Sequence, residues 1–434
     1  MLRTFLAKGV SAFGILGLVV IVGHLYGPEG VGVYALSQSI LLGAGTLARL
    51  GMDNALIRFV GRDFNSPLAR RYLYWAGIRG LWLSLFLMLS VVLLREFIER
   101  FFAMPGLARV LLGIGLAIPF YTWSFLLSGF FKGIRKPATA ALQENGAISL
   151  IAGLFILLIK IFHPEGLQDI SLLGWVYLVG AMLISVQGHM IFLRWIRSQH
   201  LGELGAKLSS RDATEFLNVS LSFFIVGMAA FMQGVLSIMI AGKFLGSIEL
   251  GLFKSAQQIA VSIAFVLMVI NAIFPPRFAV LYHQGNMIEL GSTARYATVL
   301  SLVLSLPFLA ACLLVPGFIL SLLGEGFDSA APLLRIMALA QLVNVSTGSV
   351  AFLLNMTGHD RIMRNIALLC SGAGLLAFFL LTPWLGALGA ALAFAFVLVA
   401  QNFFAMVYVW IKLEIWTLPG PNWLSLLGVI PHRN

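Results

Sequence analysis

Charged side chains are scarce along the whole chain. Only 10% of its 434 residues are Asp, Glu, Lys or Arg, 60% are hydrophobic, and the mean hydropathy is +0.97. A soluble domain of this length could not bury so much apolar surface, so the composition excludes that class. Uncharged runs of about 18 residues or more can cross a bilayer as helices. The sequence therefore predicts an all-α polytopic membrane protein.

Residues suited to catalysis or metal binding are also few. The two cysteines, Cys312 and Cys370, lie inside apolar runs, which is typical of packing residues rather than of a disulfide or a metal site. The seven histidines are scattered, and none has a partner at ligand spacing. No phosphate-binding glycine loop followed by lysine occurs, and no paired acids lie on a large exposed loop. The sequence predicts a protein that is not an enzyme and has no cofactor.

The long apolar runs predict about twelve transmembrane helices. The run from 365 to 411 has no charged residue and is too long for one span, so a turn is expected at Pro383, Gly386 and Gly389. Runs at 80–94 and 145–159 become full spans when a flanking charged side chain snorkels. The other runs are roughly 9–28, 31–48, 110–131, 170–193, 216–242, 255–276, 296–324 and 336–358.

Two segments of the chain resemble each other at a shift of 219 positions, so that Gly27 corresponds to Gly246 and Gly32 to Gly251. Each copy lies between two apolar runs, and therefore each is expected to join two spans. Such repeats predict two pseudo-repeated six-helix lobes around a central cavity. The predicted parts are an N-terminal lobe at 1–196, a cytoplasmic linker at 197–212, a C-terminal lobe at 213–412 and a cytoplasmic tail at 413–434.

The net charge of +11 is distributed unevenly between the predicted loops. With the N-terminus placed in the cytoplasm, nineteen basic residues fall on the inner side and about five on the outer side. This asymmetry follows the positive-inside rule and predicts that both termini are cytoplasmic. The basic charge therefore reflects membrane topology, and a nucleic-acid partner is excluded.

Two basic residues inside the predicted spans are candidates for binding substrate. Arg49 lies roughly 27 Å along the second span at a rise of about 1.5 Å per residue. Asp53 follows four positions later and can pair with it. The pair is either a structural ion pair or part of a substrate site. Lys254 belongs to the second repeat copy, and we expect it to face the cavity.

Neutral polar side chains in the spans complete the candidate site. Gln38 and Gln257 occupy corresponding positions in the two repeat copies, where they could hydrogen-bond sugar or bridge helices. Gln233 and Asn271 add polar groups in spans 7 and 8. Arg79, Arg109 and Arg335 are better explained as snorkelling or packing residues.

Three segments together resemble a known family. They are 25–40, 48–60 and 322–336, and in this order the chain is similar to bacterial polysaccharide-repeat flippases of the Wzx type. That family belongs to the multidrug/oligosaccharidyl-lipid/polysaccharide exporter superfamily. The resemblance implies that spans 1, 2, 7 and 8 line a cationic cavity, which places Arg49 and Lys254 on the lining spans.

The resemblance also implies a function and a location. It predicts transfer of polyprenyl-diphosphate-linked oligosaccharide repeat units across the bacterial inner membrane by alternating access, for surface polysaccharide synthesis. The partners would be this lipid-linked substrate, membrane lipids and the polysaccharide polymerase machinery. Basic side chains attract the diphosphate, and a polar cleft spares it the cost of entering hydrocarbon.

Three alternatives remain open from the sequence. A multidrug or cation antiporter of the same superfamily would need an acid in span 1 or 7, and none occurs at 9–28 or 216–243. A membrane-embedded polysaccharide polymerase or ligase would carry a large outer loop, whereas the longest outer loops here have roughly a dozen residues. A scaffolding subunit without transport is the third alternative.

Overall fold

The computed structural model of the protein describes residues 2–62, 66–163, 168–198 and 208–419. Most of the predicted linker and the tail from residue 420 onward lie outside the described residues. Within them the chain is helical and contains no strand. The helices are α1 (Leu2–Arg49), α2 (Met52–Arg62), α3 (Pro67–Phe102), α4 (Leu107–Gly133), α5 (Pro137–Ala141), α6 (Asn145–Phe162), α7 (Leu172–Ser198), α8 (Ser210–Phe231), α9 (Ser237–Phe244), α10 (Ser247–Ile263), α11 (Phe265–Ile273), α12 (Pro275–His283), α13 (Met287–Leu314), α14 (Pro316–Ser321), α15 (Ala331–Thr347), α16 (Val350–Met356), α17 (Asp360–Leu385) and α18 (Ala387–Leu413).

The described helices account for most of the predicted spans. Ten helical segments of the described residues are long and apolar enough to cross a membrane, and the number is eleven if α10 and α11, bent by 41°, count as one span. Helix α1, which supplies one of the ten, is broken at Gly27. The prediction of an all-α polytopic membrane protein is confirmed, with ten or eleven candidate spans where the sequence predicts about twelve.

Helix α1 breaks at a single residue rather than in a loop. Gly27 has φ 63° and ψ −165°, and Pro28 follows it as the first residue of the second half. A residue with a Cβ rarely adopts this conformation, and proline has no N–H to lose at a helix start. The corresponding break in the second copy lies at Leu245 and Gly246, between α9 and α10.

The second span has another break, which the sequence did not predict. Helix α1 ends at Arg49 and α2 begins at Met52. Between them Leu50 has φ 45° and Gly51 has φ 76°. A Cβ built on Gly51 would lie 2.3 Å from the carbonyl oxygen of Ser220 in α8. Position 51 therefore requires glycine twice, for its backbone conformation and for the close approach of α8.

We expect Gly51→Ala to destabilise the protein more than Gly285→Ala. Both glycines have φ above 70°, so each alanine costs about 1–2 kcal/mol in backbone strain. Only Gly51 is also crowded, since nothing lies within 4 Å of a Cβ at Gly285. Overpacking adds about 1–3 kcal/mol. Apparent melting temperatures of the two purified variants test this, and equal losses would contradict the crowding by α8.

Residues 1–251 form one of two compact units. Its aromatic core includes Phe216 of α8, whose ring centroid lies 5.3 Å from Phe59 in α2, 5.3 Å from Tyr72 in α3 and 5.5 Å from Trp75. At the same end Arg62 pairs with Glu215 at 3.5 Å. These contacts pack Phe216, near the start of α8, against α2 and α3.

The glycines that correspond in the two repeat copies contact each other within this unit. A Cβ on Gly32 would lie 1.8 Å from the carbonyl oxygen of Ser247, and one on Gly251 would lie 1.8 Å from that of Pro28. Ser247 is 219 positions after Pro28, as Gly251 is after Gly32. The contact is therefore reciprocal, because Gly32 meets Ser247 and Gly251 meets the corresponding residue, Pro28.

Residues 252–434 form the other compact unit. Helices α17 and α18 pack closely in it, because a Cβ on Gly374 would lie 2.0 Å from Val397 and one on Gly389 would lie 2.1 Å from the carbonyl oxygen of Leu381. Helix α17 ends at Leu385, and Gly386 has φ 58°. The turn predicted at Pro383–Gly389 is thus confirmed. The predicted lobe boundaries, 1–196 and 213–412, stay a prediction.

Candidate anion-binding site at the break in the second span

Arg49 and Asp53 lie on opposite sides of the break between α1 and α2. Arg49 is the last residue of α1, and Asp53 lies in the first turn of α2. Their side chains pair, with 3.6 Å between Nε and Oδ2. The predicted pairing is confirmed, but a continuous helix is not its cause. The left-handed residues at 50 and 51 bring the two side chains together instead.

The Arg49 side chain is buried and only partly satisfied. It is 8% exposed, against 24% for Asp53. Its Nη2 donates to Thr46 Oγ1 at 3.4 Å. Among the described residues, its Nε and Nη1 atoms find no hydrogen-bond acceptor. Buried donors without acceptors are costly, so they point to a polar group that is not part of this unit's own fold.

Two aromatic rings of α4 hold the Arg49 guanidinium in place. Its Cζ lies 4.2 Å from the ring centroid of Phe125 and 5.6 Å from that of Tyr121. These are cation–π contacts, which are stronger in a desolvated site. These contacts fix the position of the guanidinium against α4.

A small cavity lies next to this guanidinium. Its volume is about 70 Å³, and its polar wall is formed by Thr46, Arg49, Asp53 and Asn54. Phe223, Phe224 and Phe231 of α8 also line it. A cavity of this size suits a single small polar group, such as one phosphate, rather than a whole sugar unit.

Gln38 and Gln233 have local partners within residues 1–251. Gln38 Nε2 donates to the hydroxyl of Tyr177 at 3.4 Å, which bridges α1 to α7. Gln233 lies in the π-helical turn Met232–Leu236, and its carbonyl oxygen accepts from the Ser237 hydroxyl. π-helical turns often occur at functional sites. A role in binding sugar stays a prediction for both residues.

Lys254, Gln257 and Asn271 lie within residues 252–434. Lys254 is half-buried, and its Nζ donates to Gln257 Oε1 at 3.0 Å along α10. Asn271 Oδ1 accepts from the Ser349 hydroxyl at 2.6 Å, which joins α11 to the start of α16. Gln38 and Gln257 correspond in the repeat but have different partners. Substrate binding by these three residues also stays a prediction.

The structure adds a partly buried polar network that sequence reasoning described only in part. Lys132 Nζ pairs with Glu144 Oε1 at 2.7 Å, and the Ser128 hydroxyl donates to the same oxygen at 3.2 Å. Gln143 Nε2 donates to Gln187 Oε1 at 2.8 Å. The run Gln143-Glu-Asn inside an apolar region was the available signal. These groups are mutually paired and are explained as links among α4, α6 and α7.

The sequence of residues 3–281 matches the family described as "Polysaccharide biosynthesis protein". The match covers more than half of the chain. The chain belongs to this family. The resemblance to Wzx-type flippases, inferred from three sequence segments, is therefore confirmed. Comparison with curated protein sequences found no significant match.

Solved structures with the same fold are distant in sequence. An inward-facing multidrug resistance MATE transporter of the MOP superfamily has a TM-score of 0.73 at 13% identity, with 93% of this chain and 94% of that chain covered. The lipid II flippase MurJ, in an inward closed conformation, has a TM-score of 0.71 at 12% identity, with 94% and 86% covered. A MOP superfamily transporter from Pyrococcus furiosus has a TM-score of 0.59 at 14% identity, with 95% and 94% covered. These likenesses establish the fold.

Proposed function

We propose that this family member moves polyprenyl-diphosphate-linked oligosaccharide repeat units across a bacterial inner membrane by alternating access. The two predicted lobes, 1–196 and 213–412, move against each other, and both termini lie in the cytoplasm. The protein is a carrier rather than an enzyme, and it passes repeat units to polysaccharide polymerase machinery on the far side.

Arg49 is the observation that carries this proposal. Its buried guanidinium has two nitrogens without hydrogen-bond acceptors among the described residues, and Arg49 lines a cavity of about 70 Å³ that has both polar and apolar walls. Guanidinium groups bind phosphate oxygens with two parallel hydrogen bonds, which ammonium groups cannot reproduce. A diphosphate supplies the acceptors that Arg49 lacks.

The chemistry of the substrate explains why a membrane protein is needed. A diphosphate and several sugars would have to shed their hydration in hydrocarbon, at a cost of several kcal/mol or more for each charged group. A polar site inside the helices replaces part of that hydration. The prenyl tail needs no polar site and can stay in the bilayer, because it is as apolar as the lipid around it.

The multidrug antiporter is less consistent with the spans. A carrier of cations needs an intramembrane acid, and the only acids at the start of α8 are Asp212 and Glu215. Glu215 is exposed and pairs with Arg62 at 3.5 Å. Asp53 is the acid closest to the cavity, and it is already paired with Arg49. The site is therefore better suited to an anion than to a cation.

Deletion of the gene tests the proposed function. Without the protein, we expect lipid-linked oligosaccharide to accumulate in the inner leaflet and the surface polymer to be lost. The leaflet is assigned by a membrane-impermeant glycan-oxidising reagent, applied to spheroplasts and to inside-out vesicles. A plasmid copy of the wild-type gene is the control and restores export. Normal surface polymer in the deletion strain would overturn the proposal.

A further inference from the structure

The acid beside Arg49 lies where an anion would bind. Asp53 is in the first turn of the 11-residue helix α2, whose first N–H groups have no acceptor within the helix. Helix N-termini attract phosphates through these groups and through the helix dipole. The residues that line the cavity include Asp53 and Asn54 of this N-terminus, and Arg49. Two independent features thus favour a phosphate at the same place.

The Asp53 carboxylate already occupies part of the region where the helix N-terminus and the Arg49 charge favour an anion. Its Oδ2 lies 3.6 Å from Arg49 Nε, which is within ion-pair distance but beyond a good hydrogen bond. The carboxylate therefore neutralises the guanidinium charge without satisfying its donors. A phosphate that reached Nε and Nη1 would meet this carboxylate as a like charge at close range.

We propose that Asp53 is a built-in competitor for the phosphate site and sets the rate of substrate release. Without substrate, the carboxylate offsets the cost of a buried Arg49 charge, which would otherwise be uncompensated. With a phosphate bound, the single positive charge of the guanidinium faces two negative groups, Asp53 and the phosphate. Repulsion between these two groups weakens binding of the phosphate. This inference rests on the proposed function, and it adds a residue that limits the affinity for the substrate so that the substrate can be released.

The volume of the cavity limits which group of the substrate can compete with the Asp53 carboxylate. A cavity of about 70 Å³ has room for a small polar group such as one phosphate. The competition is therefore between one carboxylate and one phosphate of the diphosphate, and the sugars lie outside this cavity. The effect of Asp53 should depend on the phosphate and not on the glycan.

Binding of farnesyl diphosphate to the full-length protein in nanodiscs tests the competition. We expect Asp53→Asn to bind about tenfold more tightly than wild type, since one close like-charge contact is removed. The matched control is Asp360→Asn, which removes an exposed acid from the first turn of α17 and should bind like wild type. Farnesol lacks the phosphates and should not respond to either change. Inorganic pyrophosphate shows whether the prenyl tail is required.

Transport separates competition from a structural role. A competitor that aids release predicts that Asp53→Asn lowers both the KM and the maximal rate for lipid-linked oligosaccharide, whereas Asp53→Glu, which keeps the negative charge, has a higher KM and a higher maximal rate than Asp53→Asn. A purely structural acid predicts weaker binding and a lower melting temperature in Asp53→Asn, and that result would overturn the inference. Unchanged affinity in Asp53→Asn would overturn it as well.

Arg49→Gln separates failure of this inference from failure of the proposed function. If wild type binds farnesyl diphosphate, Arg49→Gln does not, and Asp53→Asn binds no more tightly than wild type, then only the competition is refuted. If wild type and Arg49→Gln bind the diphosphate equally, or neither binds it, the assigned substrate site is itself wrong.

Discussion

Arg49→Gln is expected to reduce transport of lipid-linked oligosaccharide by about tenfold to a hundredfold while the protein stays inserted. A hydrogen bond to a charged group contributes about 1.5–3 kcal/mol, and each 1.4 kcal/mol is about tenfold in binding. Glutamine keeps much of the length of arginine but has neither the charge nor the two-pronged donor geometry. Export in a complemented deletion strain measures the effect, and protein in the membrane fraction reports insertion.

Charge reversal at Arg49 and Lys254 extends this test to both repeat copies. Arg49→Glu and Lys254→Glu should each cut export, because a carboxylate repels the diphosphate. Arg109→Glu is the matched control, since Arg109 is 68% exposed and pairs with Asp169 at 3.4 Å. Unchanged export in both Arg49→Glu and Lys254→Glu would remove these residues from the mechanism.

An exchange of the two charges distinguishes substrate binding from a structural ion pair. The variant with Arg49→Asp and Asp53→Arg keeps one positive and one negative side chain across the break. A purely structural pair predicts that the double variant regains export relative to Arg49→Asp alone. A phosphate site predicts no recovery, because the guanidinium no longer lies over Phe125 of α4, where it is 4.2 Å from the ring centroid.

Sequence reasoning succeeded where the signal was local. The break at Gly27 and the turn at Gly386 were predicted because glycine and proline mark such positions within apolar runs. The pairing of Arg49 with Asp53 was predicted from a spacing of four, although the helix between them is broken. Gly51 was visible in the sequence, but a lone glycine in an apolar run is also compatible with an unbroken helix.

The remaining features depend on contacts between distant parts of the chain. The ring of Phe125 beneath Arg49 comes from α4, and the phenylalanines that line the cavity come from α8. The pattern of residues along the sequence does not show which helices contact each other. The π-helical turn that contains Gln233 also has no characteristic amino-acid composition, so the sequence could not predict it. The sequence could therefore predict that a cavity exists, but not which residues line it.

Gly32→Ala is expected to destabilise the protein although alanine is the better helix former. A Cβ there would lie 1.8 Å from the carbonyl oxygen of Ser247, and a backbone atom cannot move aside as a side chain can. Inside a helix, alanine gains about 1 kcal/mol over glycine, so a loss can only come from the crossing of α1 and α10. Overpacking of this kind costs about 1–3 kcal/mol or more. Close crossings of membrane helices commonly use such small residues.

Gly17→Ala is the matched control, because Gly17 lies in the same helix and nothing is within 4 Å of a Cβ built on it. It should leave the melting temperature equal to that of wild type or higher. Gly251→Ala should resemble Gly32→Ala, since its Cβ would lie 1.8 Å from the carbonyl oxygen of Pro28. A loss in only one of the two variants would contradict the reciprocal contact.

The double variant with Gly32→Ala and Gly251→Ala tests whether the two contacts are one crossing. The first methyl group forces the backbones of α1 and α10 apart, and the second then enters space that is already open. Residues that share a backbone shift are not additive, so the double variant should lose clearly less stability than the sum of the single losses. Thermal unfolding of the four proteins, wild type included, measures the coupling. A strictly additive result would mean that the two glycines relieve separate crowding, and the correspondence between the repeat copies would then have no energetic basis at this crossing.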